Sequence, residues 1–599
     1  MSSCLATPTA ASYILSAATQ LPSSGSYAAS KRDLFVKRSG SRLELDGEEF
    51  KVVGPNVYWL GLDENVAPSP SYPSKGRILE AMAVASAMGA TTIRSQSLGI
   101  SVGTGLSVEN ALNTFKSADS GAWDAIDFSV YAARSYNLRL ILPLTDQYDY
   151  YHGGIPTFLR WRNLSDTDFS PFYDTSSEVY SDFEQYIREL LGHVSPYTNL
   201  TLASDPTVAM FETGNELGGW TGNDYPPPVE WTTSIAALLK ELAPNTLAMS
   251  GSYGVRKSEL SIADVDVYSD HFYPLYSSRL SSSASRAHSA SKAFLVGEYD
   301  WTNRLFSQLR FAWFAMAIPV VLAALVFATP KRWWPWRVSA REVATCGCCC
   351  AKRRKRRRRT EHERLKPHAD DRHSDNRDLA FAQDPSRPPS FTDSSAPADS
   401  KSLFASSSSA LPILPPSRLA SSPSDTSFPP SRSPPASIGG FHRASRFDRP
   451  LLVRPWHVSL AILVVFLPIL GALLQIYLPS SISSFLSTSS TLAASSSSPK
   501  SAGDLHWSLF GRDDQCCAYV EHSDGYTLHY PAVPGADGKA GGSGEAILRL
   551  TRHAWGMKGE RPYWLREGRE VDDVQLQDLP VVACPQEGLR LANGTVVSG

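Results

Sequence analysis

Cysteine is scarce in this 599-residue sequence, and its spacing does not suit a metal site. Half of the eight cysteines form one cluster: Cys346, Cys348, Cys349 and Cys350. No second ligand pair lies at zinc-finger distance from it, so we expect no metal ion there. Because an apolar stretch lies nearby, the cluster is typical of acylation sites, and thiols without a role are the alternative. Cys516 or Cys517 can pair with Cys584 only in an oxidising compartment.

An excess of charge of one sign is also missing. The 57 basic and 59 acidic residues leave a formal net charge of −2. The basic residues concentrate in residues 330–375, outside any pattern of a folded domain. Nucleic-acid binding needs a basic face on a folded domain, so we expect no nucleic-acid partner.

The amino terminus lacks the pattern of a secretory leader. Residues 1–30 contain no charged start followed by a long apolar run. Either a later apolar span draws a long amino-terminal domain across a membrane, or the true start lies upstream of Met1. We expect residues 1–40 to be disordered.

Two uninterrupted apolar stretches, residues 311–329 and 456–478, predict membrane helices. Each is close to the roughly 20 residues that cross a hydrocarbon core of about 30 Å, although a buried soluble helix is the alternative. Basic residues follow the first stretch and precede the second, which places residues 330–455 in the cytosol and both flanking segments outside. The glycosylation sequons at Asn163, Asn199 and Asn593 all lie in those outer segments. We therefore expect a two-pass membrane protein with an extracellular or lumenal domain and membrane lipid as a partner.

The segments next to these stretches are poor in large apolar residues. The loop 330–455 holds the basic run and the Cys cluster, and its Ser- and Pro-rich part predicts disorder with phosphorylatable Ser-Pro sites. Residues 479–502 are Ser-rich, which predicts a flexible tether.

The outer segments alternate short apolar runs with amphipathic helical patterns. Runs with the length of buried strands lie at 50–60, 91–96, 138–145, 207–213, 246–251, 265–272, 294–298 and 503–510. Helical patterns cover 76–88, 122–136, 178–194, 230–242 and 545–555. This alternation predicts an α/β fold, a (β/α)8 TIM barrel with its first part in residues 41–303 and its last part in residues 503–599. The predicted transmembrane hairpin interrupts the barrel between strands 7 and 8, where it takes the place of the seventh helix.

Two carboxylates end apolar runs of this predicted barrel. Glu216 follows the run at 207–213, and Glu298 ends the run at 294–298. A carboxylate at the carboxyl end of a barrel strand is typical of catalysis. Two such groups beside one cleft can cleave a glycosidic bond, one as proton donor and one as nucleophile, and neither needs a cofactor.

Several motifs on these strands together resemble glycoside hydrolase family 5, in the clan of retaining (β/α)8 enzymes. The motifs are Gly214-Asn215-Glu216, Gly297-Glu298, Arg94 after Thr92-Ile93, His271-Phe272-Tyr273 and Trp507 in His506-Trp507-Ser508. The resemblance covers most of residues 50–303 and 503–530. It implies no metal and no cofactor.

The resemblance implies a role for each of these residues. Glu216 would be the acid/base and Glu298 the nucleophile. Arg94 would hold the nucleophile ionised, and Asn215 would bind the sugar 2-hydroxyl. The other substrate-binding residues would be His271, Tyr273 and Trp507, the last as an aromatic platform. An arginine lowers the pKa of a nearby carboxyl, and the resulting negative charge raises the pKa of the second one.

The substrate and the wider role stay open at the level of sequence. The run at 148–154 and Phe172-Tyr173 most resemble fungal-type endo-β-mannanases, which favours a β-linked, mannan-like glycan. Candidates for further sugar contacts are Tyr148, Asp149, Tyr150, Tyr151, His152, Trp220, Asp224 and Tyr225. A wall-remodelling transglycosylase and a non-catalytic glycan sensor that signals through the cytosolic loop are the alternatives. The oligomeric state is not indicated.

Overall fold

Eight short strands form one parallel barrel in the computed structural model. The structure describes residues 31–66, 69–219, 222, 224–302, 479–494, 499–514, 518–520, 522–531, 543–582, 589–590 and 596–597. The barrel strands are β1 (Val52–Pro55), β2 (Thr92–Arg94), β3 (Arg139–Pro143), β4 (Val208–Glu212), β5 (Leu247–Ser250), β6 (Val267–Phe272), β7 (Ala293–Asp300) and β8 (Gly503–Trp507). Every predicted strand is present, with shorter bounds at most positions.

The strands follow one another around the barrel in chain order, and β8 returns beside β1. The circle closes between β1 and β2, where Val57 N donates to Arg94 O at 2.9 Å and Thr91 N donates to Val53 O at 2.8 Å. The predicted (β/α)8 barrel is thereby confirmed. It is assembled from two separate parts of the chain.

Helices pack around the strands and shield their apolar outer faces. They are α1 (Lys75–Ala87), α2 (Gly121–Ser135), α3 (Glu178–Gly192), α4 (Val229–Leu242), α5 (Ser277–Ser289), α6 (Ile482–Ala493) and α7 (Gly544–Lys558). Short helices at Gln96–Gly99, Ile155–Trp161 and Ser170–Tyr173 lie in the loops that follow β2 and β3. Between β5 and β6 the described chain forms only a 3-10 turn, Lys257–Glu259. The five helices predicted from periodicity are all present.

The amino-terminal segment is ordered further upstream than we predicted. The strands Lys37–Ser39, Arg42–Leu45 and Glu48–Glu49 form a small antiparallel sheet. Val36 and Leu43 are buried with residues of the barrel interior such as Leu505. The expectation of disorder throughout residues 1–40 is wrong for residues 31–40, because these side chains cover the amino end of the barrel.

The tether predicted over residues 479–502 is also wrong. Residues 482–493 form α6, whose Phe485 is 0% exposed and packs against Phe272 and Tyr299 at ring distances of 5.1 and 5.6 Å. Ile482, Phe485, Leu486 and Ser489 recur at helical spacing, and the serine content hid this stripe. The seventh helical position is therefore filled by α6 and not by the predicted hairpin.

Both ends of the long insertion lie at the carboxyl end of the barrel. The described chain leaves at Thr302, just beyond β7, and returns at Pro479. Ser480 N then donates to Leu275 O, just beyond β6, at 2.6 Å. The predicted spans, the cytosolic loop and the proposed cysteine pair lie outside the described residues. Among the helices that the structure does describe, none has the length and apolarity to cross a bilayer.

Candidate active site

Polar side chains converge at the carboxyl ends of β2, β4, β6 and β7. Arg94 ends β2, Glu298 lies on β7, His271 lies on β6, and Asn215 and Glu216 follow β4. Parallel barrel strands present their carboxyl ends to a common face, which is why residues so far apart in sequence meet here. The structure thus brings together the two predicted carboxylates and their predicted partners.

Arg94 is the centre of this cluster and is 0% exposed. Its Nε donates to Oε2 of Glu212 at 2.7 Å, its Nη1 to Oε1 of Glu298 at 2.6 Å, and its Nη2 to Oδ1 of Asn215 at 2.8 Å. Asn56 accepts a further bond from Nη1 at 3.1 Å. One buried cation therefore orients residues from three different strands.

Glu216 is held in a tight turn just after β4. Its φ of 50° lies in the left-handed region, which costs a residue with a side chain about 1–2 kcal/mol. His271 Nδ1 lies 2.7 Å from its Oε1, and the Tyr148 hydroxyl donates to its Oε2 at 2.9 Å. Both carboxylate oxygens are thus engaged, one by a residue of β6 and one by a residue of the loop after β3.

Glu298 is buried and bound by three donors. Besides Arg94, the Tyr273 hydroxyl donates to its Oε2 at 3.0 Å, and Gln96 Nε2 donates to its Oε1 at 3.3 Å. A side chain on the preceding Gly297 would place its Cβ 2.8 Å from the His271 ring. Glycine at 297 therefore lets the imidazole lie beside the carboxylate.

The two carboxylates are close enough to act on one sugar carbon. Oxygens of Glu216 and Glu298 and a ring nitrogen of His271 lie within 4.8 Å of one another. Retaining glycosidases need carboxyls about 5–5.5 Å apart, whereas inverting ones need about 6.5–9.5 Å. Among the described residues this trio alone has donor atoms spaced for a metal ion, and hydrogen bonds within the protein already engage the three groups.

The pKa values of the two carboxylates shift in directions opposite to those predicted from the sequence. Burial opposes the charged form of Glu216, but His271 and Tyr148 outweigh it and lower the pKa of Glu216. Burial raises the pKa of Glu298 even though His271 and Arg94 oppose it. Both carboxylates outweigh burial and raise the pKa of His271. Arg94 therefore does not lower the pKa of Glu298 below its ordinary value, contrary to the prediction from the sequence.

Asn215 is fixed at both ends of its amide. Its oxygen accepts from Arg94, and its Nδ2 donates to Asp146 at 3.2 Å. Asp146 in turn binds His152 Nε2 at 3.1 Å. The amide therefore has one orientation beside the two carboxylates, and its predicted contact with a sugar hydroxyl stays a prediction.

Trp507 at the end of β8 is half-buried and held from two sides. Its ring lies parallel to that of Tyr58 at 5.3 Å, and its Nε1 donates to Asp524 at 3.0 Å. His522 lies 3.3 Å from both Asp524 and Glu64. Burial lowers the pKa of His522, but these two carboxylates outweigh it and raise the pKa to about 9. This indole has the fixed position that a sugar platform requires, and that role also stays a prediction.

The predicted aromatic sugar contacts divide into two groups. Tyr150 and Tyr225 are 48% and 42% exposed and remain available to a ligand. Tyr148 instead contacts Glu216, and the half-buried Tyr151 donates to Leu62 O at 2.8 Å. Trp220 lies outside the described residues.

Sequence reasoning missed three members of the cluster. They are Glu212, Gln96 and Asn56, none of which was predicted as a site residue. Each lies at or just beyond the carboxyl end of a barrel strand, as Arg94 does. That shared position was the available signal.

Comparisons with known proteins match part of this chain. The family described as "GH family 5 beta-mannosidase-like" matches residues 33–274. Mannan endo-1,4-beta-mannosidase 8 of Oryza sativa subsp. japonica is 26% identical over 242 residues, which are 39% of this chain and 62% of that protein. Mannan endo-1,4-beta-mannosidase 1 of Arabidopsis thaliana is 25% identical over 274 residues, covering 41% of this chain and 63% of that protein.

Among solved structures, an endo-1,4-beta-mannanase from Rhizomucor miehei aligns with a TM-score of 0.39 and 20% identity. The alignment covers 44% of this chain and 82% of that one. This chain spans about six tenths of the length of the curated relatives that it matches. The family match includes Arg94, Glu216 and His271, and Glu298 completes the site from the next strand. The match to the glycoside hydrolase family 5 model thus runs from the amino-terminal sheet to just beyond β6.

Proposed function

We propose that this protein is a retaining β-glycoside hydrolase that cleaves a β-1,4-mannan-like polysaccharide by double displacement. The observation that carries the proposal is the pair Glu216 and Glu298, with carboxylate oxygens within 4.8 Å. The pair lies on the face where barrel enzymes hold their catalytic groups. Its spacing suits a nucleophile that attacks the sugar directly.

In the first step, a Glu298 oxygen bonds to the anomeric carbon while the glycosidic C–O bond breaks. The departing oxygen keeps the electron pair of that bond and takes a proton from Glu216. A covalent glycosyl ester on Glu298 results. In the second step, Glu216 takes a proton from water, the water oxygen bonds to the anomeric carbon, and Glu298 leaves as a carboxylate.

His271 supplies the proton that the first step requires. Its Nδ1 lies 2.7 Å from Oε1 of Glu216, which is short enough for a proton to pass between the two groups. When the proton lies on Glu216, His271 is neutral and Glu216 can act as an acid. The imidazole thus prepares the acid before the glycosidic oxygen arrives.

A mannan-like substrate is supported by the relatives, which are named as mannan endo-1,4-beta-mannosidases. Exposed Tyr150 and Tyr225 and the held Trp507 add aromatic surface for the apolar faces of sugar rings. Aromatic rings offer a large apolar surface with fixed geometry.

The full-length protein in detergent should hydrolyse β-1,4-mannan, and Glu298→Ala should abolish turnover. With an aryl β-mannoside, added azide should restore the reaction in both variants. The product should be the β-glycosyl azide with Glu216→Ala and the α-glycosyl azide with Glu298→Ala, because each variant lacks a different group.

Cellulose and β-1,3-glucan serve as alternative substrates. Turnover of mannan by Glu298→Ala at the wild-type rate would exclude the mechanism. Folded protein that binds mannan without any turnover would favour the glycan sensor. Products longer than the substrate, formed in the presence of excess acceptor sugar, would favour the transglycosylase.

We further propose that residues 311–329 and 456–478 anchor the barrel in a membrane, with the barrel outside and residues 330–455 in the cytosol. Both ends of the insertion lie at the same end of the barrel as Glu298. Residues 303–310 extend at most about 29 Å, so the substrate would be met near the bilayer. The sequons at Asn163 and Asn199 are exposed.

Two measurements test the anchor. The full chain should stay in the membrane pellet at alkaline pH, and replacement of residues 303–478 by a short linker should release an active barrel. Removal of N-glycans should shift the mass of wild type more than that of a variant with Asn163→Gln and Asn199→Gln. Full chain found in the soluble fraction would contradict the anchor and leave the hydrolase intact.

A further inference from the structure

Glu212 is a fully buried carboxylate that the proposed steps do not use. Its Oε2 accepts from Arg94 Nε at 2.7 Å, whereas its Oε1 is buried without a hydrogen-bond partner. Burial raises the pKa of Glu212, and Arg94 opposes that shift. A buried acceptor left unsatisfied is costly, so its presence here calls for a chemical reason.

Arg94 forms ion pairs with two carboxylates at once. Glu212 and Glu298 lie 2.7 and 2.6 Å from different nitrogens of the Arg94 guanidinium. Neither carboxylate has the charge of Arg94 to itself. Burial keeps the pKa of Glu298 raised even though Arg94 opposes it across so short an ion pair.

The two ion pairs of Arg94 also matter when Glu298 becomes covalently bound to the sugar. When Glu298 forms a glycosyl ester, its negative charge disappears while Arg94 stays protonated and buried. A buried cation without a counter-ion is strongly disfavoured. Glu212 is then the remaining carboxylate in contact with the guanidinium.

We propose that Glu212 is a positioning residue that acts through Arg94, limiting how strongly the guanidinium stabilises free Glu298 and serving as its counter-ion in the glycosyl-enzyme. The inference rests on the proposed retaining mechanism. It deepens that mechanism by assigning the charge balance of the ester to a residue outside the reacting trio.

Other charged and titratable groups face the two carboxylates and keep their places in any Glu212 variant. Glu212 is influenced by Arg94, His271 and Asp146, and Glu298 by His271, Arg94, Glu216 and Tyr273. Because only the charge at position 212 changes in Glu212→Gln, a shift in the pH profile reports on that charge.

The test uses the full-length protein with 2,4-dinitrophenyl β-mannobioside. This leaving group needs no proton from Glu216, so kcat/KM reports attack by Glu298. In Glu212→Gln we expect the plateau of kcat/KM to fall about tenfold or more, which corresponds to about 1.4 kcal/mol. We expect the acidic limb of the kcat/KM profile to move to lower pH. Once position 212 is neutral, Arg94 pairs with Glu298 alone and keeps it ionised in more acidic solution. The limb reports ionisations of the free enzyme.

Two further variants separate charge from packing. Glu212→Asp keeps the negative charge, so its acidic limb should stay at the wild-type position even if its plateau falls. Glu109→Gln is the matched control, a buried carboxylate changed to an amide away from Arg94, and should leave both plateau and limb unchanged.

Three results would overturn the inference. They are an unmoved limb in Glu212→Gln, a limb in Glu212→Asp displaced as far as in Glu212→Gln, and an unchanged plateau in Glu212→Gln. These failures differ from failure of the proposed function, in which wild type itself releases no dinitrophenol or Glu298→Ala releases it equally fast.

Discussion

His271 Nδ1 lies 2.7 Å from Oε1 of Glu216 and 3.6 Å from Oε2 of Glu298. One imidazole therefore faces both carboxylates of the site. Proton occupancy of any member of the trio changes the electrostatic energy of the other two, so they titrate as a set.

Replacement of His271 by Asn should remove a pH-dependent part of the stability. The pKa of His271 is raised in the folded protein by Glu298 and Glu216, although burial opposes them. The stabilisation is therefore fully present below the unfolded pKa of about 6.5 and is lost as pH rises through the folded value. Urea unfolding of wild type and His271→Asn from pH 6 to pH 9 should show a stability difference that shrinks with pH. A stability difference that stays constant with pH would contradict the coupling. The kcat of His271→Asn should also fall about 100-fold or more.

Tyr148→Phe should shift the activity profile without unfolding the protein. The Tyr148 hydroxyl lowers the pKa of Glu216 by a hydrogen bond, so its removal should raise that pKa and move the basic limb of kcat/KM to higher pH. Loss of one hydrogen bond to a charged group costs about 1.5–3 kcal/mol, or about 10- to 100-fold in rate. Tyr180→Phe, which removes a hydroxyl bound to Ser234 on the outer helices, is the control and should leave the profile unmoved. Equal profiles for both variants would exclude a role for Tyr148 at Glu216.

Glu109→Gln should stabilise the protein in alkaline solution. Burial raises the pKa of Glu109 to about 8. The unfolded chain releases this proton near pH 4.5 while the folded chain keeps it, so stability falls as pH rises from about 4.5 to 8 and then levels off. The amide has no proton to lose, and at pH 8 the variant should be more stable by a few kcal/mol, since one pKa unit is worth about 1.4 kcal/mol. Chemical denaturation at pH 5 and pH 8 gives the comparison, and a gain that is equal at both pH values would refute this account.

Phe485→Ala should destabilise the barrel although position 485 lies in a Ser-rich stretch. Phe485 is 0% exposed and packs on Phe272 and Tyr299. Truncation of a buried phenylalanine costs about 3–5 kcal/mol. The exposed neighbour change Ser487→Ala should alter stability by less than about 0.5 kcal/mol. If both variants unfold at the same denaturant concentration as wild type, α6 is not part of the barrel core.

The strands and most helices could be predicted because their signals are local. Runs such as Leu140–Leu142 are apolar on both faces, as buried parallel strands require, and amphipathic stripes marked helices such as α3. Helices α5 and α6 were missed because serine weakens helix propensity and resembles a linker in composition. Their apolar stripes become evident only once the neighbouring elements are known.

The sequence by itself determined the eight-strand order and the positions of Glu216 and Glu298 at strand ends, because strand periodicity and length are properties of adjacent residues. Only the tertiary structure decided which side chains share charges and protons. The division of Arg94 between Glu212 and Glu298, and the pairing of His271 with Glu216, depend on distances between strands far apart in the chain. Electrostatic energies change steeply over a few ångströms in a buried site, and no sequence pattern records those distances.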